Sequence, residues 1–134
     1  MRVNELAKSS HMTSDAVRYY TRLGLLHPKR DPINGYRKYS ITDNHRLRFI
    51  ARAKQIGFTL AEIQQVFSDA EKSNSPCPRV RDILQRRIAE NRQKIELMTA
   101  LQLRMEQAQR EWTEIPDGMP DGQSICQLIE AINA

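Results

Sequence analysis

The run VRYYTRLGLL occupies residues 17–26, and the run NGYRKYS follows at residues 34–40. The apolar residues of the first run have the spacing of one helix face, and Thr13 or Ser14 precedes them as a helix cap. Gly24 is typical of the position just after a helix. A shorter helix is predicted near the start of the chain, so this region is predicted to form a helix-turn-helix.

The segment from residue 25 to residue 40 predicts a β-hairpin. The pair Asn34-Gly35 is a strong signal for a tight hairpin turn. The residues after it alternate between the two faces of a short strand, with Tyr and Arg side chains close to the turn. We therefore predict a hairpin wing beside the helix-turn-helix.

Two further helices are predicted before residue 71. The third helix is expected to open at Thr42 and Asp43 and to end at Gly57. Thr59 and Glu62 have the spacing of a capping box, which marks the start of the fourth helix.

The segment from residue 79 to residue 112 contains neither Gly nor Pro and predicts one helix about 50 Å long. Its apolar residues follow a heptad pattern that Asn91 and two glutamines interrupt. The seam contains Leu84, Ile88, Ile95, Met98, Met105 and Trp112. A helix this long needs a partner, so we predict pairing with a second copy. The alternative is that it folds back on the N-terminal region.

The fold class is thus mainly α: a winged helix-turn-helix, a long dimerisation helix and a short C-terminal loop and helix. The predicted boundaries are 1–70 for the winged helix-turn-helix domain, 71–78 for a linker, 79–113 for the coiled-coil helix and 114–134 for the last segment. That last segment begins as a loop rich in Pro, Gly and Asp and ends in a short predicted helix, in which Ile125, Leu128, Ile129 and Ile132 have helical spacing.

The charge of the chain is unevenly distributed. Residues 1–54 carry 12 Lys and Arg against 4 Asp and Glu, a net charge of +8, whereas residues 55–134 carry 9 against 12, a net charge of −3. A basic region of this kind favours a polyanionic partner, and nucleic acid is the leading candidate. The alternative is a solvated basic face without a partner.

Several classes of protein are disfavoured by the sequence. The five glycines form no phosphate-binding loop, and no catalytic triad or carboxylate pair is recognisable, so an enzyme is not expected. Two alternative interpretations remain: an enzyme that uses Cys77 and His45 as a nucleophile pair, and an interaction module in which the coiled coil is the functional part. No apolar run has the length of a membrane span, and the start of the chain does not resemble a signal peptide. The two cysteines are therefore expected to be reduced thiols in the cytoplasm.

The two runs quoted above, with LRFI at 47–50 and GFTLAEI at 57–63, strongly resemble the MerR family of bacterial transcriptional regulators. The resemblance implies a homodimer held by an antiparallel coiled coil, with an effector site near the far end of the long helix. It also implies that the protein binds and distorts double-stranded promoter DNA, realigns the promoter for RNA polymerase and activates transcription once its effector is bound.

The resemblance also implies which residues meet DNA. The second helix would lie in the major groove, the wing would hold the backbone beside the minor groove, and Lys54 would serve a second wing. The residues assigned to DNA in this way are Ser14, Arg18, Tyr19, Tyr20, Tyr36, Arg37, Lys38, Tyr39 and Lys54. One of the two adjacent tyrosines of the second helix should face a phosphate. Tyr20 and Tyr36 are alternatively core aromatics.

The cysteine positions resemble those of the heavy-metal branch of the family, although the usual cysteine at the front of the tail loop is missing. Cys77 of one copy would approach Cys126 of the other, and Asp117 or Asp121 would add oxygen. Such a set suits a divalent ion, namely Zn²⁺, Cd²⁺, Pb²⁺ or Hg²⁺. Met119 is a weak thioether candidate that would suit Cu(I) better. Thiol modification and a small organic effector remain the alternatives.

Overall fold

The computed structural model describes residues 1–133. The chain has two compact units, Met1–Arg87 and the part from Ile88 onward. In the first unit, helices α1 (Val3–Ser9) and α2 (Ser14–Arg22) form the predicted helix-turn-helix. The Thr13 side chain accepts a hydrogen bond from the backbone N–H of Ala16, which makes Thr13 the cap of α2. Gly24 follows α2 with a φ of +80°, a conformation that glycine adopts without strain.

The wing is shorter than the sequence indicated. Strands β1 (Lys29–Arg30) and β2 (Arg37–Lys38) pair antiparallel, with Lys29 opposite Lys38. Asn34 and Gly35 lie in the connection between the two strands, as predicted, but this loop contains residues 31–36 and is longer than a two-residue turn. The Asp31 carboxylate closes this loop by accepting hydrogen bonds from the backbone N–H groups of Ile33 and Asn34, at 2.8 and 3.4 Å.

Helices α3 (Ile41–Gln55) and α4 (Leu60–Glu71) complete the first bundle. The start predicted for α3 was wrong by one to two residues, because Ser40 is the cap. Its hydroxyl accepts from the Asp43 backbone N–H, and the Asp43 carboxylate accepts from the Ser40 backbone N–H. The Thr59–Glu62 capping box of α4 is present as predicted.

The apolar faces of α1 to α4 and the segment after α2 meet in one core. Leu47 is completely buried in this core, and complete burial of a leucine side chain stabilises a fold by about 1.5–3 kcal/mol. The large side chains that are fully buried are Leu6, Val17, Leu25, Leu26, Leu47, Ile50 and Ile63.

Helix α5 (Cys77–Trp112) has 36 residues and begins two residues before the predicted start. Pro78 lies in its first turn, where a missing backbone N–H costs no hydrogen bond. Leu84, which belongs to the predicted heptad pattern, is partly buried, and together with the buried Ile83 it packs against the core of the first unit. The early turns of α5 therefore pack against the core of the first unit.

The second unit contains the rest of α5 and a final helix, α6 (Gln127–Glu130). Helix α6 is a single turn, so Ile125 and Ile132 lie outside it, contrary to the predicted helix. Six large apolar side chains of α5 beyond Arg87 are exposed in the single chain, whereas Leu101 and Trp112 are partly buried. The six exposed side chains are Ile88, Ile95, Leu97, Met98, Leu103 and Met105. Across residues 1–133, we find no helix with the length and apolar character of a membrane span.

Candidate nucleic-acid interface and effector site

Helix α2 exposes a basic and aromatic face. The Tyr19 ring is 45% exposed, and the guanidinium of Arg22 lies 5.8 Å from its centre. Arg18 is also exposed and forms an ion pair of 3.1 Å with Asp15 one turn earlier. Because Tyr20 is buried, Tyr19 is the one of the two adjacent tyrosines that faces solvent.

Tyr39 is buried and ties the wing to α2. Its hydroxyl lies 2.8 Å from the Thr21 hydroxyl, which itself donates to the backbone carbonyl of Val17 at 2.7 Å. The Tyr39 backbone N–H also donates to the Met1 carbonyl at 2.6 Å. Tyr39 therefore positions the wing against both the recognition helix and the start of the chain.

The exposed tip of the wing lies over a cleft of about 400 Å³. Three arginines from separate parts of the sequence line it, and the lining residues include no carboxylate. The lining residues are Arg2, Val3, Asn4, Arg18, Gly35, Tyr36, Arg37 and Tyr39. This arrangement suits an anionic group of the size of a phosphate.

Arg2 is the charged residue of this cleft that sequence reasoning missed. Its guanidinium lies 4.7 Å from the centre of the exposed Tyr36 ring, a cation–π arrangement. Arg2 lies outside the runs that carry the resemblance, and only the local excess of positive charge hinted at it. Tyr36 is not a core aromatic, because its side chain is 58% exposed.

The remaining predicted DNA residues, Ser14, Lys38 and Lys54, do not line the cleft. Lys38 lies 3.9 Å from Asp31, whose pKa is lowered by the backbone N–H of Ile33 and further by Lys38. The Ser14 hydroxyl donates to the Asn4 side chain at 2.7 Å. Lys54, in the last turn of α3, places its Nζ 6.0 Å from the centre of the Tyr20 ring.

The two candidate sensor thiols belong to different units. Both Cys77 and Cys126 are exposed and form no disulfide. Cys77 is the first residue of α5, and its backbone N–H donates to the Ser75 hydroxyl at 3.3 Å. Cys126 is the residue before α6.

Glu130 holds the loop that carries Cys126, and sequence reasoning missed this role. Its carboxylate accepts from the Ser124 hydroxyl at 2.5 Å and from the Ile125 backbone N–H at 3.1 Å. These hydrogen bonds, that of Ser124 first, lower the pKa of Glu130. In the sequence, the only indication of this contact was that Ser124 and Glu130 lie on either side of Cys126, six residues apart.

The acidic candidates lie in the same loop. The Asp121 carboxylate accepts from the backbone N–H groups of Gln123 and Ser124, which lowers its pKa and keeps it anionic. Asp117 is exposed beside Gly118, where a Cβ would lie 1.9 Å from the Gln127 amide nitrogen. The loop therefore packs directly against the residue after Cys126.

A single chain does not gather these donors into a metal site. Within residues 1–133, no group of three His, Cys, Asp or Glu side chains is close enough to hold an ion. The chemistry of the donors nevertheless suits a soft divalent ion, because both thiols are exposed and unpaired.

The second unit also contains an apolar cavity of about 680 Å³ between the C-terminal part of α5 and the α6 segment. Leu101, Met105, Trp112, Ile129 and Ile132 are among its lining residues. Its size and apolar lining are compatible with a small organic molecule.

Two family models match the chain. A model described as "MerR HTH family regulatory protein" matches residues 1–70, and one described as "MerR, DNA binding" matches residues 44–108.

Individual relatives match over most of their length. The chain is 37% identical over 106 residues to the HTH-type transcriptional regulator HmrR of Rhizobium leguminosarum bv. viciae, which covers 79% of this chain and 81% of that protein. It is 29% identical to the mercuric resistance operon regulatory protein of Bacillus cereus over 133 residues. This alignment covers 98% of this chain and 96% of that protein. The crystal structure of the transcription regulator PbrR691 from Ralstonia metallidurans CH34 in complex with lead(II) is similar, with a TM-score of 0.76, 25% identity and 97% of each chain covered.

Proposed function

The chain belongs to the MerR family of helix-turn-helix regulatory proteins, and from that premise we propose that it is a transcriptional activator switched by a divalent heavy-metal ion. It is a DNA-binding regulator and not an enzyme. It acts as a homodimer on promoter DNA together with RNA polymerase, and we place its action in the cytoplasm.

One observation supports the DNA-binding role most strongly. The cleft between α2 and the wing gathers Arg2, Arg18 and Arg37 without a carboxylate among its lining residues. The exposed Tyr36 ring lies beside Arg2, and the exposed Tyr19 follows Arg18 on α2, so phosphates can receive both charge-assisted and hydroxyl hydrogen bonds. We propose that α2 lies in the major groove and that the wing and Lys54 hold the neighbouring backbone.

The four tyrosines that the sequence assigned to DNA have different roles in this proposal. Tyr19 and Tyr36 contact DNA directly, together with Ser14 and Lys38. Buried Tyr20 and Tyr39 act mainly by fixing α2 and the wing in position. Distortion of the duplex between these contacts is the step by which binding controls transcription.

The dimer explains the exposed apolar side chains of α5. Ile95, Leu97 and Met98 are each more than 60% exposed in the single chain, which is unfavourable for apolar groups in water. Pairing of two α5 helices removes this surface from water. An antiparallel arrangement also brings the beginning of one helix to the end of the other.

We propose that the effector is a divalent ion bound between Cys77 of one chain and Cys126 of the other, with Asp117 or Asp121 as oxygen donors. Two relatives with high coverage are named for mercury resistance or were crystallised with lead(II). Thiolates suit Hg²⁺, Pb²⁺, Cd²⁺ and Zn²⁺, and the bound ion would cross-link the two chains. Glu130 supports the site because it orders the loop before α6.

A metal titration tests this effector. Reduced protein is titrated with Zn²⁺, Cd²⁺, Pb²⁺ and Hg²⁺, and the thiolate absorption and the response of transcription are followed. Cys77→Ser and Cys126→Ser should each abolish the response while operator binding persists, and Met119→Leu is the matched control that should respond normally. A full response in the Cys77→Ser/Cys126→Ser double variant would rule out both thiols.

A small organic effector is the second candidate, and the apolar cavity beside Trp112 favours it. In that case the double cysteine variant would respond normally, whereas Ile129→Trp, which fills the cavity, would not. Modification of Cys77 or Cys126 is distinguished from metal binding by its persistence after a chelator is added.

A further inference from the structure

Arg87 makes two short contacts from α5 to the turn between α3 and α4. Its Nη1 donates to the Gly57 carbonyl at 2.7 Å, and its Nη2 donates to the Glu62 carboxylate at 2.6 Å. Both side chains are mostly buried, with 25% exposure for Arg87 and 17% for Glu62. Such charge-assisted bonds are about twice as strong as neutral ones, and a planar fork fixes their geometry.

The turn that Arg87 contacts is itself rigid. The second oxygen of the Glu62 carboxylate accepts from the Thr59 backbone N–H at 2.8 Å, which completes the capping box of α4. This hydrogen bond, and then that of Arg87, lower the pKa of Glu62, so the carboxylate remains anionic. Gly57 has a φ of +85°, which favours glycine at this position.

Gly57 connects this turn to Lys54. The backbone N–H of Gly57 donates to the Lys54 carbonyl at 3.0 Å, while its own carbonyl accepts from Arg87. The Lys54 ammonium in turn lies 6.0 Å from the centre of the Tyr20 ring on α2. A short series of contacts therefore leads from α5 through the turn to the recognition helix.

We propose that Arg87 is a positioning residue that couples α5 to the α3–α4 turn and so sets how Lys54 engages the DNA backbone. The inference rests on the proposed promoter-binding function and adds the residue that links the effector-bearing helix to the DNA contact. Any rotation or shift of the early turns of α5 must either carry the Gly57 carbonyl with it or break the Arg87 bonds.

Arg79 does not have the same role, although it also belongs to the first turns of α5. It pairs with Asp69 at 2.6 and 3.2 Å, and Asp69 lies on α4 away from the turn. Arg86 is the neighbour of Arg87, but it pairs with Asp82 of its own helix at 3.2 Å and is 60% exposed. Arg86 is therefore a matched control of the same residue type in the same helix.

A double-mutant cycle on the full-length dimer tests this coupling. The DNA is a duplex that the wild-type protein selects from a random library, and binding is measured by anisotropy at several salt concentrations. The variants are Lys54→Ala, Arg87→Gln and Arg86→Gln, singly and in pairs with Lys54→Ala. Thermal unfolding of each variant is recorded at the same protein concentration.

We expect Lys54→Ala to weaken binding about fivefold in the wild type and in Arg86→Gln, but less than about twofold in Arg87→Gln. Lys54→Ala should likewise reduce the magnitude of the salt slope by about 0.9 only where Arg87 is present. Equal effects of Lys54→Ala in all three backgrounds would overturn the coupling. If Arg87→Gln unfolds, Arg87→Lys replaces it, because one ammonium group does not reproduce the two-pronged contact.

The two levels of the proposal fail differently. If the wild-type protein selects no duplex, the promoter-binding function is wrong. If it selects a duplex and the cycle is additive, the DNA-binding function stands and the role of Arg87 is wrong. A loss of binding in Arg87→Gln that merely follows its loss of thermal stability, with Lys54→Ala still costing about fivefold, also overturns the coupling.

Discussion

Tyr39→Phe tests whether the buried tyrosine of the wing acts through packing. The Thr21 hydroxyl uses its only hydrogen in the bond to the Val17 carbonyl, so Tyr39 must donate to Thr21. Removal of the Tyr39 hydroxyl therefore deletes one hydrogen bond and leaves no buried donor unpaired. The free energy of unfolding should fall by about 1 kcal/mol, in the usual range for a net hydrogen bond.

This change should appear as a fall of about 3–4 °C in Tm, given an unfolding entropy of about 2.1 cal/mol/K per residue. The assay is urea and thermal unfolding at fixed protein concentration, because a dimer's stability depends on concentration. Tyr36→Phe is the control, and its stability should change by less than about 0.5 kcal/mol because its side chain is exposed.

Operator binding separates the two roles of tyrosine. Tyr19→Phe should weaken binding without loss of stability, whereas Tyr39→Phe should lower stability and affect binding only slightly. The reasoning would be refuted if Tyr39→Phe kept wild-type stability and weakened operator binding as strongly as Tyr19→Phe. That result would mean that the Tyr39 hydroxyl engages DNA.

Three further predictions follow from the same contacts. Arg2→Ala should weaken operator binding and reduce the salt slope by about 0.9, whereas Arg110→Ala, in the second unit, should leave both unchanged in anisotropy titrations. Arg18→Ala and Arg37→Ala should each reduce binding and the salt slope, and unchanged titrations at two salt concentrations would remove them from the interface. The hydrogen bond from Arg79 is the main cause that lowers the pKa of Asp69 from its ordinary value of 3.8. The Asp69–Arg79 pair therefore stabilises the fold above pH 3.8, and this stabilisation is lost as the pH falls through the lowered pKa of Asp69. The stability difference between wild type and Asp69→Asn should therefore shrink below about pH 4, and a constant difference down to pH 2 would contradict it.

The helices were predictable because their signals are local. Thr59 and Glu62 mark the start of α4 within four residues, and the apolar spacing of α2 identified Val17 as a core position. The wing was harder, because the Asn34-Gly35 signal competes with Asp31, whose carboxylate closes a longer loop. The two hydrogen bonds that Asp31 accepts stabilise this longer loop over the two-residue turn that Asn-Gly usually forms.

The site was predictable only where it coincides with the family's motif. Arg18 and Arg37 belong to that motif, but Arg2 joins them only after the chain folds. The choice between Tyr19 and Tyr20 depended on which face of α2 meets the core. The two residues are adjacent and lie where the buried face of the helix borders its exposed face, so the sequence alone does not separate them. Arg87 was hidden because its acceptors lie 25 and 30 residues away in the sequence.

The most direct test of the central claim is sedimentation velocity of the protein with a labelled duplex that it has selected from a random library. Two chains gripping one duplex through their basic N-terminal units should sediment as a complex of two chains per duplex, and the Arg18→Ala/Arg37→Ala variant should remain a dimer that leaves the DNA free. A complex of one chain per duplex, or a double variant that still sediments with the DNA, would contradict the account.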